Sequence, residues 1–296
     1  MEYIINFIRG FMMALADSVP GVSGGTIAFI MGFYDKFINS INDLVVGDKS
    51  RKIKALKFLI KLGIGWIVGM VLSISILANL FDKQIYKVSS LFIGFILASL
   101  PLIIIEEKDN IKGKYKNIIF LIIGAAVVVL LSTVKFSVNP SKLNFGMIIY
   151  TVIAGALAIS AMVLPGISGS TILMSFGLYI PIITGVKKML ELNFSSLPLI
   201  IFAGVGVILG VVLAIGQIKK LLQKKRSQVV YMIVGMMIGS FYAIIMGPTT
   251  LDIPKDPISL ETFSIIWFVV GILLVLGLEK VKSLPFYKEG IKNEKR

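Results

Sequence analysis

Long apolar stretches separated by short polar ones set the plan of this chain. Runs at 58–81, 88–105, 117–134, 197–218, 229–247 and 263–278 have about the length a helix needs to cross a bilayer. Four further apolar runs come in two pairs. Residues 3–16 and 26–41 flank one polar, glycine-rich break, and 145–164 and 171–186 flank another. Each pair reads as a helical hairpin that returns to its starting side, either re-entrant or fully spanning; the run at 3–16 is too short to span, which favours re-entrant.

The two breaks are near copies. Pro20-Gly21-Val22-Ser23-Gly24-Gly25-Thr26-Ile27 is answered by Pro165-Gly166-Ile167-Ser168-Gly169-Ser170-Thr171-Ile172, and Gly32-Phe33-Tyr34 by Gly177-Leu178-Tyr179. Weaker echoes follow: Gly94-Phe95 through Ser99 with Gly235-Met236 through Ser240, and Phe120 and Gly124 with Trp267 and Gly271. A self-similarity this long marks a duplicated unit. The expected fold is therefore an all-α polytopic membrane protein of two repeats. Residues 1–144 hold hairpin 3–41 and spans 58–81, 88–105 and 117–134. Residues 145–285 hold hairpin 145–186 and spans 197–218, 229–247 and 263–278. A tail, 286–296, follows.

Composition agrees. Of 296 residues 56% are hydrophobic, and mean hydropathy is +0.93. The net charge of +14 points to loops obeying the positive-inside rule and not to nucleic acid. If each hairpin returns to its starting side, 23 of the 30 Lys and Arg fall on one face and 7 on the other. That places both termini in the cytoplasm. A hairpin plus three spans is an odd number of crossings, so the second repeat is inverted relative to the first. Ala14-Leu15-Ala16 looks like a signal-peptidase site, but Glu2 and Arg9 precede it, and the segment reads as mature structure. Without cysteine or histidine, the chain has no disulfide, no thiolate metal site and none of the usual imidazole chemistry.

The breaks are where chemistry is expected. Glycines let a ligand approach the backbone, and the half-helix after each break offers free N–H groups and a positive dipole end to an anion. Two such ends inserted from opposite faces form the kind of midplane site that secondary transporters use. The expected substrate-binding residues are Arg9, Ser23, Gly24, Gly25, Thr26, Ser168, Gly169, Ser170 and Thr171. Arg9 is expected at the cytoplasmic entrance, either as a phosphate contact or snorkelling to the interface. Asp17 either caps the first break or carries a coupling proton or ion. Glu106 and Glu107 read as solvated loop charges, Trp66 and Trp267 as lipid-facing anchors. No metal site and no cofactor beyond a coupling gradient is expected.

Ala16-Asp17-Ser18-Val19-Pro20-Gly21-Val22-Ser23-Gly24-Gly25-Thr26, the following Gly32-Phe33-Tyr34 and the partner motif at 165–171 resemble the polyprenyl-phosphate transporter (PopT) family over essentially the whole chain. The resemblance implies a bacterial cytoplasmic-membrane protein that returns undecaprenyl phosphate from the outer to the cytoplasmic leaflet, for reuse in peptidoglycan and other envelope polymers. Its partners are then that lipid carrier and membrane lipids. Two alternatives stay open. Membrane undecaprenyl-pyrophosphate phosphatases have similar hairpins, but with an arginine after the motif serine, where this chain has Gly24 and Gly169, and with glutamates and a histidine. A small-anion secondary transporter would want an enclosed aqueous cavity in place of a lateral groove.

Overall fold

A computed structural model describes residues 2–17, 23–133, 144–166, 168–190, 192–250 and 254–283. Pro20-Gly21-Val22, Ile167 and the expected tail 286–296 lie outside the described residues. The described residues form helices and no strands. The first half contains α1 (Glu2–Asp17), α2 (Gly24–Ile30), α3 (Tyr34–Val46), α4 (Lys49–Glu106), a single turn α5 (Lys108–Ile111) and α6 (Ile118–Thr133). The second contains α7 (Phe145–Val163), α8 (Gly169–Ser175), α9 (Tyr179–Leu190), α10 (Leu197–Lys224), α11 (Arg226–Met246) and α12 (Ile265–Ser283).

Local chemistry sets the helix ends. Asp48 caps α4 by accepting from the Arg51 N–H, and Asn144 caps α7 by accepting from the Met147 N–H. The short helices α2 and α8 end alike. Gly32 and Gly177 take left-handed φ values of 70° and 66°. The next N–H reaches back five residues, Phe33 to the Ala28 carbonyl at 3.0 Å and Leu178 to the Leu173 carbonyl at 2.8 Å. This is the glycine-terminated cap that satisfies orphan carbonyls, and it explains why both copies of the motif carry a glycine there.

The expected turn between spans 58–81 and 88–105 is a kink at Gln84 (φ −131°, ψ 27°), where two helices join within α4, although nothing from Asp82 to Lys87 is Gly or Pro. Two spanning lengths, 49–73 and 84–106, lie on either side of the bend. The second passes through Pro101 to Glu106.

Among the described residues, six helical segments are long and apolar enough to cross a membrane: 49–73, 84–106, 115–133, 145–163, 197–224 and 226–249. This is an integral membrane protein. Helix α7, read as one arm of the second hairpin, has 19 residues and the length of a span, whereas α1 has 16. The expected span 263–278 falls largely within α12.

The same pairings recur in the two halves. Helix α1 packs along the first part of α4, and α7 along α10; α12 lies on the second part of α4, and α6 on α11. Each seam is built on glycine. At Gly65 and Gly69 of α4, an added Cβ would run into the backbone of Phe7 and Phe11 on α1, and Gly206 meets Val152 of α7 in the same way. The core between these pairs gathers Ile27, Phe29, Ile30, Ile38, Phe95, Ile96, Ile103, Ile233, Met236 and Met237.

Candidate functional site

The two sequence motifs meet. Ser23, the N-cap of α2, is fully buried, and its hydroxyl donates to the Leu164 carbonyl at 3.1 Å. The Gly166 N–H donates to the Thr26 hydroxyl at 2.9 Å. These bonds join residues about 140 positions apart, so the start of α2 is fastened to the chain leaving α7. Gly25 makes the approach possible, because a Cβ there would sit 2.7 Å from the Val163 carbonyl oxygen. Gly166 takes a φ of 90°, and a Cβ on it would strike the Met236–Met237 backbone of α11. Glycine is required on both counts.

The two motifs are used differently. In the first, the polar groups have partners inside the protein. The Ser23 hydroxyl oxygen also accepts from the Thr26 N–H at 3.3 Å. The Gly24 N–H, at the dipole's positive end, donates to the Asp17 carboxylate at 2.6 Å. Asp17 is held from its other side by the Trp66 indole N–H at 2.8 Å. The anion at the start of α2 is thus the protein's own. Asp17 does cap the break, and Trp66, expected as a lipid-facing anchor, holds it there.

In the second motif, Ser168 and Ser170 share a hydroxyl–hydroxyl bond of 2.6 Å, and Ser168 makes no capping bond to its own helix. The Thr171 hydroxyl is buried without a hydrogen-bond partner. An unsatisfied buried hydroxyl costs about 1–3 kcal/mol and marks a place where a further acceptor fits. Gly169 leaves room against Ala158, whose carbonyl oxygen a Cβ would meet at 3.0 Å.

Arg9 is not in this cluster. It is 1% exposed, bonds Asn6 Oδ1 at 2.8 Å and lies 4.7 Å over the Phe33 ring. Phe33 follows the C-terminal end of α2, so the length of that helix, roughly 10 Å, separates Arg9 from Ser23 and Thr26. It does not snorkel. Its charge lies near the negative end of the α2 dipole, as Asp17 lies at the positive end.

The family model described as VCA0040-like, Undecaprenyl phosphate translocase-like, matches residues 13–262. The chain belongs to this family. It is similar to a polyprenyl-phosphate transporter of Staphylococcus aureus (strain NCTC 8325 / PS 47), with 31% identity over 98% of both chains. It is also similar to a polyprenyl-phosphate transporter of Vibrio cholerae serotype O1 (strain ATCC 39315 / El Tor Inaba N16961), with 30% identity over 95% of this chain and 97% of the other. A shorter similarity, 27% identity over 32% of this chain and 33% of the other, is to an undecaprenyl-diphosphatase of Clostridium tetani (strain Massachusetts / E88). No solved structure matches the chain.

Two features of the structure escape the motif pattern. The first is an ionic clasp. Arg226, at the start of α11, donates from Nη2 and Nε (3.0 Å) to the two oxygens of Glu107, and from Nη1 to Asp35 at 2.8 Å. Glu107 is buried, with Asn110 Nδ2 also donating to it at 2.8 Å. It is not the solvated loop charge expected from its position after a span. The second is an apolar cavity of about 420 Å³ beside the first motif, lined by α1, α2, α4 and α12. Neither leaves a local signature, since each depends on residues brought together from distant parts of the chain.

Proposed function

We propose that this chain moves undecaprenyl phosphate from the outer to the cytoplasmic leaflet of a bacterial cytoplasmic membrane, returning the carrier for envelope polymer synthesis. In this reading the halves 1–144 and 145–285 are inverted repeats, both termini are cytoplasmic, and transport proceeds by alternating access. The phosphate is held where the two motifs meet, by Ser168, Ser170 and Thr171 together with hydroxyls and N–H groups released from Ser23, Gly24, Gly25 and Thr26. Asp17 is the coupling candidate: phosphate and carboxylate compete for one helix end, so arrival of one favours protonation or displacement of the other. The names of the two full-length relatives and the chemistry of the cluster support this cargo.

The observation that carries the site is the buried, unpartnered Thr171 hydroxyl next to the cross-motif bonds of Ser23 and Thr26. Hydrolysis is the weaker reading. The cluster holds the Asp17 carboxylate and serine hydroxyls, but no histidine to act as general base and no arginine after either motif serine to hold a cleaved phosphate.

The test is transbilayer movement of undecaprenyl phosphate in liposomes holding the pure protein under several ion gradients. Protein-dependent movement is expected, and equal rates with and without protein would sink the reading. Thr171→Val separates site from scaffold. It removes an unpaired buried hydroxyl, so stability holds or rises by up to about 1 kcal/mol, while transport falls at least tenfold. Full transport by a folded Thr171→Val protein would remove Thr171 from the site.

A further inference from the structure

The cavity beside the first motif has the form of a receiving groove. It runs from Gln84 and Lys87, where α4 resumes after its bend, to Phe95 along the same helix, a length of roughly 16 Å at helical rise. One wall is α12, through Trp267 and Leu274; the floor is Ala16 of α1 and Ile27 of α2. Ala16 precedes Asp17 and Ile27 follows Thr26, so the inner end of the groove abuts the place where the motifs meet. Among the described lining residues, all but Gln84, Lys87 and the Trp267 indole N–H are apolar.

Polar contacts join the two walls beside the mouth. Tyr86 Oη donates to the Asp256 carbonyl at 3.0 Å, and the Ser264 N–H donates to Ser90 Oγ at 3.0 Å. These pin the start of α12 to α4 beside Lys87. At the equivalent contact, between α6 of the first half and α8 of the second, Ser175 of α8 donates to the Leu131 carbonyl of α6.

Lys87 is exposed and makes no ion pair among the described residues. An exposed cation at the end of a long apolar trough complements an amphiphile with one anionic head and one long hydrocarbon chain. The offset that aligns Gly94 with Gly235 aligns Gln84 with Lys225 and Lys87 with Gln228. That second Lys and Gln pair lines a polar cavity of about 380 Å³ at the elbow between α10 and α11.

Resting on the transport reading above, we infer that the groove between α12 and α1, α2 and α4 seats the prenyl chain of a polyprenyl phosphate. Lys87, with Gln84, takes its phosphate first, before it passes to the hydroxyl cluster. The occupant is a prenyl phosphate and not bulk phospholipid, because the groove is a single trough that suits one hydrocarbon chain and not two.

The test uses the full chain in phosphatidylethanolamine and phosphatidylglycerol nanodiscs, with undecaprenyl phosphate binding followed by native mass spectrometry. Lys87→Gln is expected to weaken binding about tenfold, and Lys87→Arg to restore it. Leu274→Trp, which fills the groove from a half-exposed position on α12, is expected to abolish it. Unchanged binding in folded Lys87→Gln and Leu274→Trp proteins overturns the proposal. So does equal displacement of the prenyl phosphate by phosphatidylglycerol, which marks a general lipid crevice. If Leu274→Trp does not fold, the surface variant Lys87→Gln decides alone. Transport distinguishes the two readings: wild-type protein that binds in the groove but moves no lipid fails the function and keeps the groove. Transport unaffected by Lys87→Gln and Leu274→Trp keeps the function and fails the groove.

Discussion

Replacing Arg226 with alanine tests whether the clasp between the two halves holds the conformation seen here. Arg226 grips both oxygens of Glu107 and one of Asp35. The partners are unequal: the Glu107 side chain is 6% exposed, Arg226 35% and Asp35 50%. Arg226→Ala leaves a buried carboxylate with Asn110 as its remaining donor. Orphaning a buried charge costs about 3–5 kcal/mol; water reaching the half-exposed guanidinium lowers this to about 1–3 kcal/mol. Glu107→Ala leaves only a charge that water already reaches, and costs less. Asp35→Ala removes an exposed contact worth less than about 1 kcal/mol. The expected order is therefore Arg226, Glu107, Asp35, with the Arg226→Ala/Glu107→Ala double variant recovering part of the loss. If the clasp exists only in this conformation, a loss of about 1–3 kcal/mol shifts the conformational balance by roughly fivefold to a hundredfold. The chain has no cysteine, so spin labels at Val46→Cys and Lys224→Cys, both exposed, report the separation of α3 from the α10–α11 elbow. Electron–electron resonance in nanodiscs should show a longer-distance population in Arg226→Ala. An unchanged distance distribution with unchanged thermal unfolding would refute the reasoning, as would Asp35→Ala having the largest effect.

Other expectations follow from the meeting of the motifs. Thr26→Val removes the acceptor of the Gly166 N–H and should lower thermal stability by about 1–3 kcal/mol, the opposite of Thr171→Val; equal effects would mean that the two threonines are equivalent. Gly25→Ala forces a Cβ against the Val163 carbonyl, a clash of backbone with backbone. It should cost about 1–3 kcal/mol and slow transport, as read in the liposome assay. Trp66→Phe removes one charge-assisted bond to Asp17 and Asp17→Ala removes both of its bonds, so unfolding midpoints should fall further for Asp17→Ala.

Much of this was legible in the residues alone. The apolar runs gave the helices, because burial in lipid demands continuous helical bonding, and the duplicated Pro-Gly-x-Ser-Gly-x-Thr marked where that bonding stops. The glycines at 32 and 177, which end α2 and α8, do not read as helix ends from the pattern, since 26–41 and 171–186 each read as one apolar run. The place of the break between spans 58–81 and 88–105 was legible, but not its form, a kink at Gln84 with no Gly or Pro near it. The run 145–164 anticipated the length of α7, but an apolar run does not state how deeply it enters the membrane.

Sequence by itself determined that this is a helical membrane protein with two matched breaks rich in hydroxyls and glycine, in a chain without the usual groups for cleaving a phosphate ester. The tertiary structure decided how unequal the copies are. It put the Asp17 carboxylate on the first half-helix and left the Thr171 hydroxyl of the second without a partner. It paired Glu107 with Arg226 and opened a groove between α12 and helices α1, α2 and α4. The reason is physical. Periodicity and breaks act between neighbours along the chain, whereas a cap, a clasp or a groove depends on groups far apart in sequence arriving within a few ångströms of one another.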